Sequence, residues 1–441
     1  MKRFSKITLV FTMLFALMAS QFNPVNAKAE EDTLGLKAEA AIIVDAKSGR
    51  ILYEKNADKV LGIASMSKMM VEYMVLEAIE EEKISWDQKA TISNYVHNLS
   101  KAPNLSNVGL TEGEDYTAKE LYEAMAVHSG NAATVALAEL IGGSEKNFVK
   151  MMNEKAKELG LKDYKFVNTS GLNNKDLLGN HPAGAPNEEN VMTARDMATL
   201  AFHILSDFPE VLETAKMPRL KFRDGKEYAN FNWMLPGLIF EYEGVDGLKT
   251  GSTDFAGYAH TGTVKRDGQR YITVVMKSTS KDERFNDTKK LMNYAFSNFG
   301  KEDVLAANYE VKDQKTLPVI KGKEDSVKIH TKEDPIELVI ENGEKENYKP
   351  VLVIDKDKLN KDGELTAPVK KGEKVGYISV ENKEGKDYGF ITTEGGKANR
   401  IDVVAAEDVE KSNWFVLSMR AIGGFFGDVW NGAASTVKGW F

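Results

Sequence analysis

The chain has no cysteine in 441 residues. Disulfides, cysteine nucleophiles and thiolate metal sites are therefore excluded. A chain this long buries enough apolar surface to do without covalent cross-links. A basic stripe interleaved with aromatics is also missing, and the formal net charge is −8. Tracking nucleic-acid phosphates needs such a stripe, so no nucleic-acid partner is expected. Lys370, Lys371 and Lys374 cluster, but Glu373 sits among them, and the group reads as solvated surface. The apolar run at residues 7–18 falls short of the ~20 residues a bilayer span needs. It follows Lys2, Arg3 and Lys6 and precedes Ala27-Lys28-Ala29. That order reads as a secretory signal peptide over residues 1–29, cut after Ala29, rather than a retained anchor. This segment holds four Lys/Arg and no acid, so the exported remainder is more acidic than the whole.

Residues 30–441 exceed one ordinary core, so two domains are expected, with a composition shift near residue 300. Residues 40–45 and 51–54 flank a turn containing Gly49 and read as a β-hairpin. Over residues 66–83 the apolar positions change to helical spacing, with Met69, Met70, Tyr73 and Leu76 on the pattern. Ser65 thus falls at a helix start, with Lys68 one turn on along the same face. Residues 117–140 read as two helices meeting at a tight turn, His128-Ser129-Gly130-Asn131, with Asn131 or Ser129 capping the second. Helices are expected at 148–159 and, opened by Thr193, up to about residue 205. Gly171, Gly179, Pro182, Gly184 and Pro186 make residues 168–190 a loop. Strands return at 247–252, 258–265 and 271–277, and a helix at 285–299 closes the region. The fold class is α+β: an antiparallel sheet, built from the hairpin and the last three strands, with a helical block inserted between them.

Residues 301–405 read as an all-β stalk, with strands at 317–320, 327–329, 336–340, 351–353, 365–369 and 377–380. It carries no catalytic or metal-ligand cluster, and His330 stands alone. Residues 406–441 form a separate tail. Phe415, Met419, Ile422, Phe426, Trp430 and Trp440 recur on one face, flanked by Lys411, Arg420 and Lys438. An amphipathic helix lying in the membrane surface over residues 411–441 is expected; a helix packed on the all-β region is the alternative.

Three short strings carry the chemistry: Ser65-Met66-Ser67-Lys68, Ser129-Gly130-Asn131 and Lys249-Thr250-Gly251-Ser252. A serine hydroxyl needs a base within reach to act as a nucleophile. Lys68 can be that base if a buried helix start and the second ammonium, Lys249, lower its proton affinity. Ser67 lies off the Lys68 face and reads as a structural hydroxyl. Ser129 is placed to relay a proton to a leaving amine, and Asn131 to hold an amide and orient Lys68. Lys249 on a strand suits a substrate carboxylate, helped by Thr250 and Ser252. Gly251 leaves room for substrate backbone. The backbone N–H groups of Ser65 and Ser252 are the expected oxyanion hole. Arg284 adds charge near Lys249. This set describes acyl transfer from a peptide with a free C-terminal carboxylate, and it asks for no cofactor and no metal.

The ordered set resembles that of penicillin-binding proteins and serine β-lactamases. Ile63-Ala64-Ser65-Met66-Ser67-Lys68-Met69-Met70, Asp246-Gly247-Leu248-Lys249-Thr250-Gly251 and Thr193-Ala194-Arg195-Asp196-Met197-Ala198 extend the likeness. Over its whole length the chain resembles low-molecular-mass penicillin-binding proteins, the serine-type D-alanyl-D-alanine carboxypeptidases. Its strings are similar to those of the major vegetative enzyme of Gram-positive spore-forming rods. The resemblance implies a β-lactamase/transpeptidase-like catalytic domain over residues 30–300. It implies removal of the terminal D-alanine from peptidoglycan pentapeptides ending in D-Ala-D-Ala, in cell wall synthesis and remodelling. It also implies acylation by β-lactam inhibitors, a location on the outer face of the cytoplasmic membrane, and no metal. Class A β-lactamases deacylate with a loop glutamate. Glu188 and Glu189 precede Asn190 in a loop here, but their surroundings do not resemble that family's E-x-x-L-N string, and they read as surface. A third alternative is a wall- or membrane-binding scaffold with a decayed site. Three intact strings argue against it.

Overall fold

The computed structural model describes residues 32–414, 416 and 419, apart from 308, 312, 313, 333, 385–388 and 394. The expected signal peptide and most of the expected amphipathic tail lie outside the described residues. The central sheet has five antiparallel strands in the order Val245–Thr253, Gly257–Arg266, Gln269–Ser278, Ala40–Asp45, Ile51–Lys55. The hairpin thus pairs with the last strand of the meander, in the register Ile42 opposite Val274. All six residues of Ala40–Asp45 are buried. Helices Lys281–Asn298 and Ala194–Asp207 both pack on this part of the sheet. That double cover explains why the strand reads as a continuous apolar run rather than an alternating one.

The helical block is built around Lys68–Glu80, in which residues 68–76 are buried without interruption. Helices Ala118–His128, Asn131–Gly142, Glu145–Glu158 and Ala194–Asp207 pack around it. A helix this largely apolar, buried on every side, belongs in such a place. The four-residue 3₁₀ turn Ala64–Ser67 precedes it, so Ser65 sits just ahead of the α-helix. The expected capping of the second helix by Asn131 or Ser129 is not what the structure holds. Gly130 is the N-cap and makes no side-chain bond, while Ser129 ends the preceding helix in the left-handed region at φ 56. Both polar side chains are thereby free of the capping role and line the site.

Beyond residue 298 the chain is β-rich, with its own apolar cluster that includes Val327, Leu338, Val380 and Val403. Strand Phe299–Leu305 pairs with Ile336–Glu341. A six-stranded sheet runs Tyr348–Ile354, Lys374–Asn382, Arg400–Ala405, Ser326–Thr331, Thr316–Ile320, Leu365–Thr366. The first and last strands of this region, Phe299–Leu305 and Arg400–Ala405, were not expected. The strand expected at 365–369 shrinks to two residues, because Pro368 has no N–H for a ladder.

From Leu36 on, the described chain forms one compact unit. The β-rich region joins the central sheet at the hairpin turn. The Ile51 N–H donates to Gly389 O and the Ile391 N–H to Gly49 O, both at 2.9 Å. Arg50 is buried there, its guanidinium 5.3 Å from the Tyr348 ring centre and 6.0 Å from that of Phe390. It also donates to the Tyr348 hydroxyl. Gly395 must lack a side chain, since a Cβ would stand 2.2 Å from Ser48 O.

Candidate active site

The three strings meet at one cleft of about 620 Å³. Ser65 comes from the 3₁₀ turn, Ser129 and Asn131 from the helix–helix junction, and Thr250, Gly251 and Ser252 from the strand Val245–Thr253. Arg284, from the first turn of Lys281–Asn298, lines the same cleft. Lys68 and Lys249 are buried beneath the lining rather than in it.

Lys68 Nζ stands 2.9 Å from Ser65 Oγ, 2.8 Å from Asn131 Oδ1 and 2.6 Å from Ser170 O. Two of these partners, an amide oxygen and a backbone carbonyl, can only accept hydrogen bonds. Burial holds the Lys68 ammonium well below its usual proton affinity, and the Lys249 charge lowers it further, against the pull of Glu72. Burial likewise lowers Lys249, with Arg284 adding to the effect and Glu72 opposing it. Arg284 is itself brought down to about 10 by burial.

Ser129 Oγ is buried yet has no hydrogen-bond partner among the described residues, although its residue lines the cleft. A buried hydroxyl left open toward a cleft is a group awaiting a ligand. Its left-handed backbone is a strained conformation for a non-glycine residue. Asn131 Nδ2 donates to Ser106 O at 2.9 Å, which fixes the amide so that Oδ1 faces Lys68.

Ser67 occupies a different place. Its Oγ donates to Ala64 O at 2.7 Å and accepts from Asn190 Nδ2 at 2.8 Å. Asn190 also takes the N–H groups of Val167 and Asn168 on its Oδ1. It therefore ties the nucleophile turn to the loop that presents Ser170 O. Glu145, buried, holds the same loop by accepting from Thr169 N and Oγ1. Gly171 is required by this contact: its φ is +78, and a Cβ would lie 1.9 Å from Ala64 O. The sequence reading did not single out Ser170 or Glu145, and took Asn190 only as a loop neighbour. One available signal was the Asn168-Thr169-Ser170-Gly171 string, whose polar, turn-forming residues are all buried.

Two expectations need correction. Glu189 is not surface: it is 6% exposed, lines the cleft, and its Oε2 accepts from Thr253 Oγ1 at 2.6 Å. Burial raises its proton affinity. Glu188 is the more exposed of the pair and binds Lys165. The reason given for Gly251 also changes. A Cβ there would meet Ile63 O at 2.6 Å, so the glycine admits the nucleophile turn behind the strand. Arg284 Nη1 faces Gly251 O at 3.3 Å and Ala259 O at 3.4 Å, so the guanidinium braces the strand as well as lining the cleft.

Comparison with known proteins gives this site a family. Residues 26–280 match the D-alanyl-D-alanine carboxypeptidase family, and residues 299–411 match the penicillin-binding protein 5 C-terminal domain. The D-alanyl-D-alanine carboxypeptidase DacF of Bacillus subtilis is 32% identical over 373 residues, covering 85% of this chain and 88% of its own. The structure of a peptidoglycan synthesis regulatory factor from Streptococcus pneumoniae superposes with a TM-score of 0.68 at 36% identity. It covers 85% of this chain and 100% of its own. Penicillin-binding protein D2 of Listeria monocytogenes, solved with ampicillin bound, is 35% identical with a TM-score of 0.52. It covers 60% of this chain and 99% of its own. The assembled serine–lysine–asparagine site and a match across both regions carry one conclusion: the chain belongs to the D-alanyl-D-alanine carboxypeptidase family.

Proposed function

We propose that this enzyme removes the terminal D-alanine from peptidoglycan peptides ending in D-Ala-D-Ala, through an acyl-enzyme on Ser65. The observation that carries the reading is the set of partners around Lys68. An ammonium can donate to all three. A neutral amine has two hydrogens and a lone pair, and Asn131 Oδ1 and Ser170 O take the hydrogens. The lone pair is left for the Ser65 hydroxyl at 2.9 Å. Loss of one proton from Lys68 thus reverses the Ser65 bond and makes the lysine a base.

Ser65 Oγ then attacks the carbonyl carbon of the penultimate D-alanine while its proton passes to Lys68 Nζ. The backbone N–H groups of Ser65 and Ser252 hold the oxyanion. The C–N bond breaks, and the leaving amine takes a proton relayed through Ser129 Oγ. Free D-alanine departs, and water hydrolyses the ester. The Lys249 charge beneath the cleft, with Thr250, Ser252 and Arg284 at its wall, attracts the substrate's terminal carboxylate. A β-lactam meets the same nucleophile, but its leaving nitrogen stays tethered to the acyl group, so the enzyme is trapped.

Intact-mass measurement with benzylpenicillin tests the nucleophile. One adduct is expected, absent from S65A, with peptide mapping to Ser65. An adduct on Ser67 would remove the assignment. Release of D-alanine from diacetyl-Lys-D-Ala-D-Ala tests the activity, and rapid penicillin hydrolysis without it would favour a β-lactamase.

The domain reading is 30–300 for catalysis, 301–405 as a stalk and 406–441 as an in-plane anchor at the outer face of the cytoplasmic membrane. Among the described residues no helix is long and apolar enough to cross a membrane. Met419 is 55% exposed, which supports the anchor reading. Flotation with anionic liposomes should separate the full chain from one ending at Glu410. Equal flotation would remove the tail as anchor.

A further inference from the structure

Helix Lys68–Glu80 carries a second charged residue in its buried stretch, Glu72, only 3% exposed. Its neighbours along the helix are Met69, Met70, Val71, Tyr73, Met74 and Val75, all buried. Nothing in that packing asks for a carboxyl. Glu72 is four residues after Lys68, so the two side chains share one face of the helix. Lys249, from the facing strand, is buried against the same interior. The Tyr122 hydroxyl, on helix Ala118–His128, is buried without a hydrogen-bond partner among the described residues, and the Glu72 charge acts on it. Glu210 acts on Tyr122 in turn. Asn131, from the next helix, is neutral. Lys249 also interacts through its charge with Arg284, His260 and His128. Two buried ammoniums thus lie beneath the cleft, and Glu72 is a buried carboxyl on the helix face of one of them.

We propose that Glu72 is a positioning residue, a buried counter-charge shared by both lysines, that keeps Lys249 protonated for the substrate carboxylate while Lys68 works as the neutral base. Its effect is through space: burial and the two lysine charges are what act on the carboxyl, with no hydrogen bond contributing. Burial raises the carboxyl to about 7, against the pull of Lys249 and Lys68, so the two lysine charges are what favour its ionised form in that interior. The division of labour needs one proton between two amines. Without the negative charge, a proton on either amine would be harder to keep, and the carboxylate-binding charge would be lost as pH rises into the working range.

The inference rests on the roles given above to Ser65, Lys68 and Lys249, and its test is separable from theirs. D-alanine release by the wild-type full chain tests those roles. The position of the pH limbs in Glu72→Gln tests only Glu72. In wild type, kcat/KM should rise with pH as Lys68 loses its proton and fall as Lys249 loses its own. Removing the carboxylate lowers the proton affinity of both amines. Both limbs should therefore move to lower pH, by roughly one unit, with a raised KM on the alkaline side. A packing role would lower the curve without moving it, and limbs that superimpose on those of wild type would overturn the proposal. A second measurement does not depend on folding of that variant. With ¹³C-carboxyl-labelled glutamate, the Glu72 titration should move to higher pH in K249Q, by the reciprocity of linked binding. A Glu72 signal that titrates identically with and without Lys249 would overturn it equally.

Discussion

Asn131→Asp puts a carboxylate where a neutral amide oxygen now accepts from Lys68, and changes the shape of the side chain hardly at all. At the observed 2.8 Å, with an effective dielectric near 20, the attraction between the two charges is about 6 kcal/mol, or roughly four pKa units. Desolvating the new carboxylate takes back much of this. If only about a third survives, the proton affinity of Lys68 still rises by about 1.5 units. The fraction of neutral lysine then falls by up to about 30-fold, the full factor holding below the wild-type value and shrinking above it. Penicillin acylation of the variant should slow by up to that factor and converge on the wild-type rate as pH passes the raised value. The assay is the second-order rate of adduct formation by stopped mass spectrometry over a pH series. Thermal unfolding of the same samples shows that the fold is intact. A rate that stays below wild type by one constant factor into the alkaline range, with no convergence, would refute the reasoning, because Lys68 would then not be the titrating base.

Two further outcomes follow from the loops around the site. Gly171→Ala forces a Cβ against Ala64 O at a left-handed position. It should cost roughly 2 kcal/mol or more in urea unfolding and slow acylation by displacing the nucleophile turn; wild-type stability would mean the contact is soft. Glu189→Gln should leave the lifetime of the penicilloyl-enzyme unchanged, since the carboxylate is held on Thr253 Oγ1. A marked lengthening would make Glu189 a deacylating base and revive the β-lactamase reading.

Much of the sheet was legible because its strands are long, apolar and separated by turns such as Asp267-Gly268. The helix–helix break at Ser129 was legible because a glycine and two polar residues interrupt an Ala/Leu/Val pattern. What that break does was not. Local rules favour Ser and Asn as caps, and here tertiary partners displaced that local choice: Asn131 is claimed by Lys68 and Ser106. Glu189 was missed because charge alone suggests solvent, and its burial depends on Thr253, 64 residues away. Strand Arg400–Ala405 was missed because its alternation is short, and pairing with Ser326–Thr331 and Lys374–Asn382 is what defines it. Gly251 shows a subtler failure: its position in the motif was plain, but which neighbour it makes room for required knowing what lies behind the strand.

The grip on Arg50 has a mechanical side. The turn it clamps closes strand Ala40–Asp45, which is laddered to Gln269–Ser278, that to Gly257–Arg266, and that to Val245–Thr253, the strand of Lys249. Torque on the β-rich region would therefore load hydrogen-bonded strands instead of flexing a linker. Residues inserted beside Gly389 would draw the Ile51 and Ile391 bonds off the hairpin turn. The load would then pass mainly through the junction of helix Lys281–Asn298 with strand Phe299–Leu305, a single hinge in place of a two-point brace.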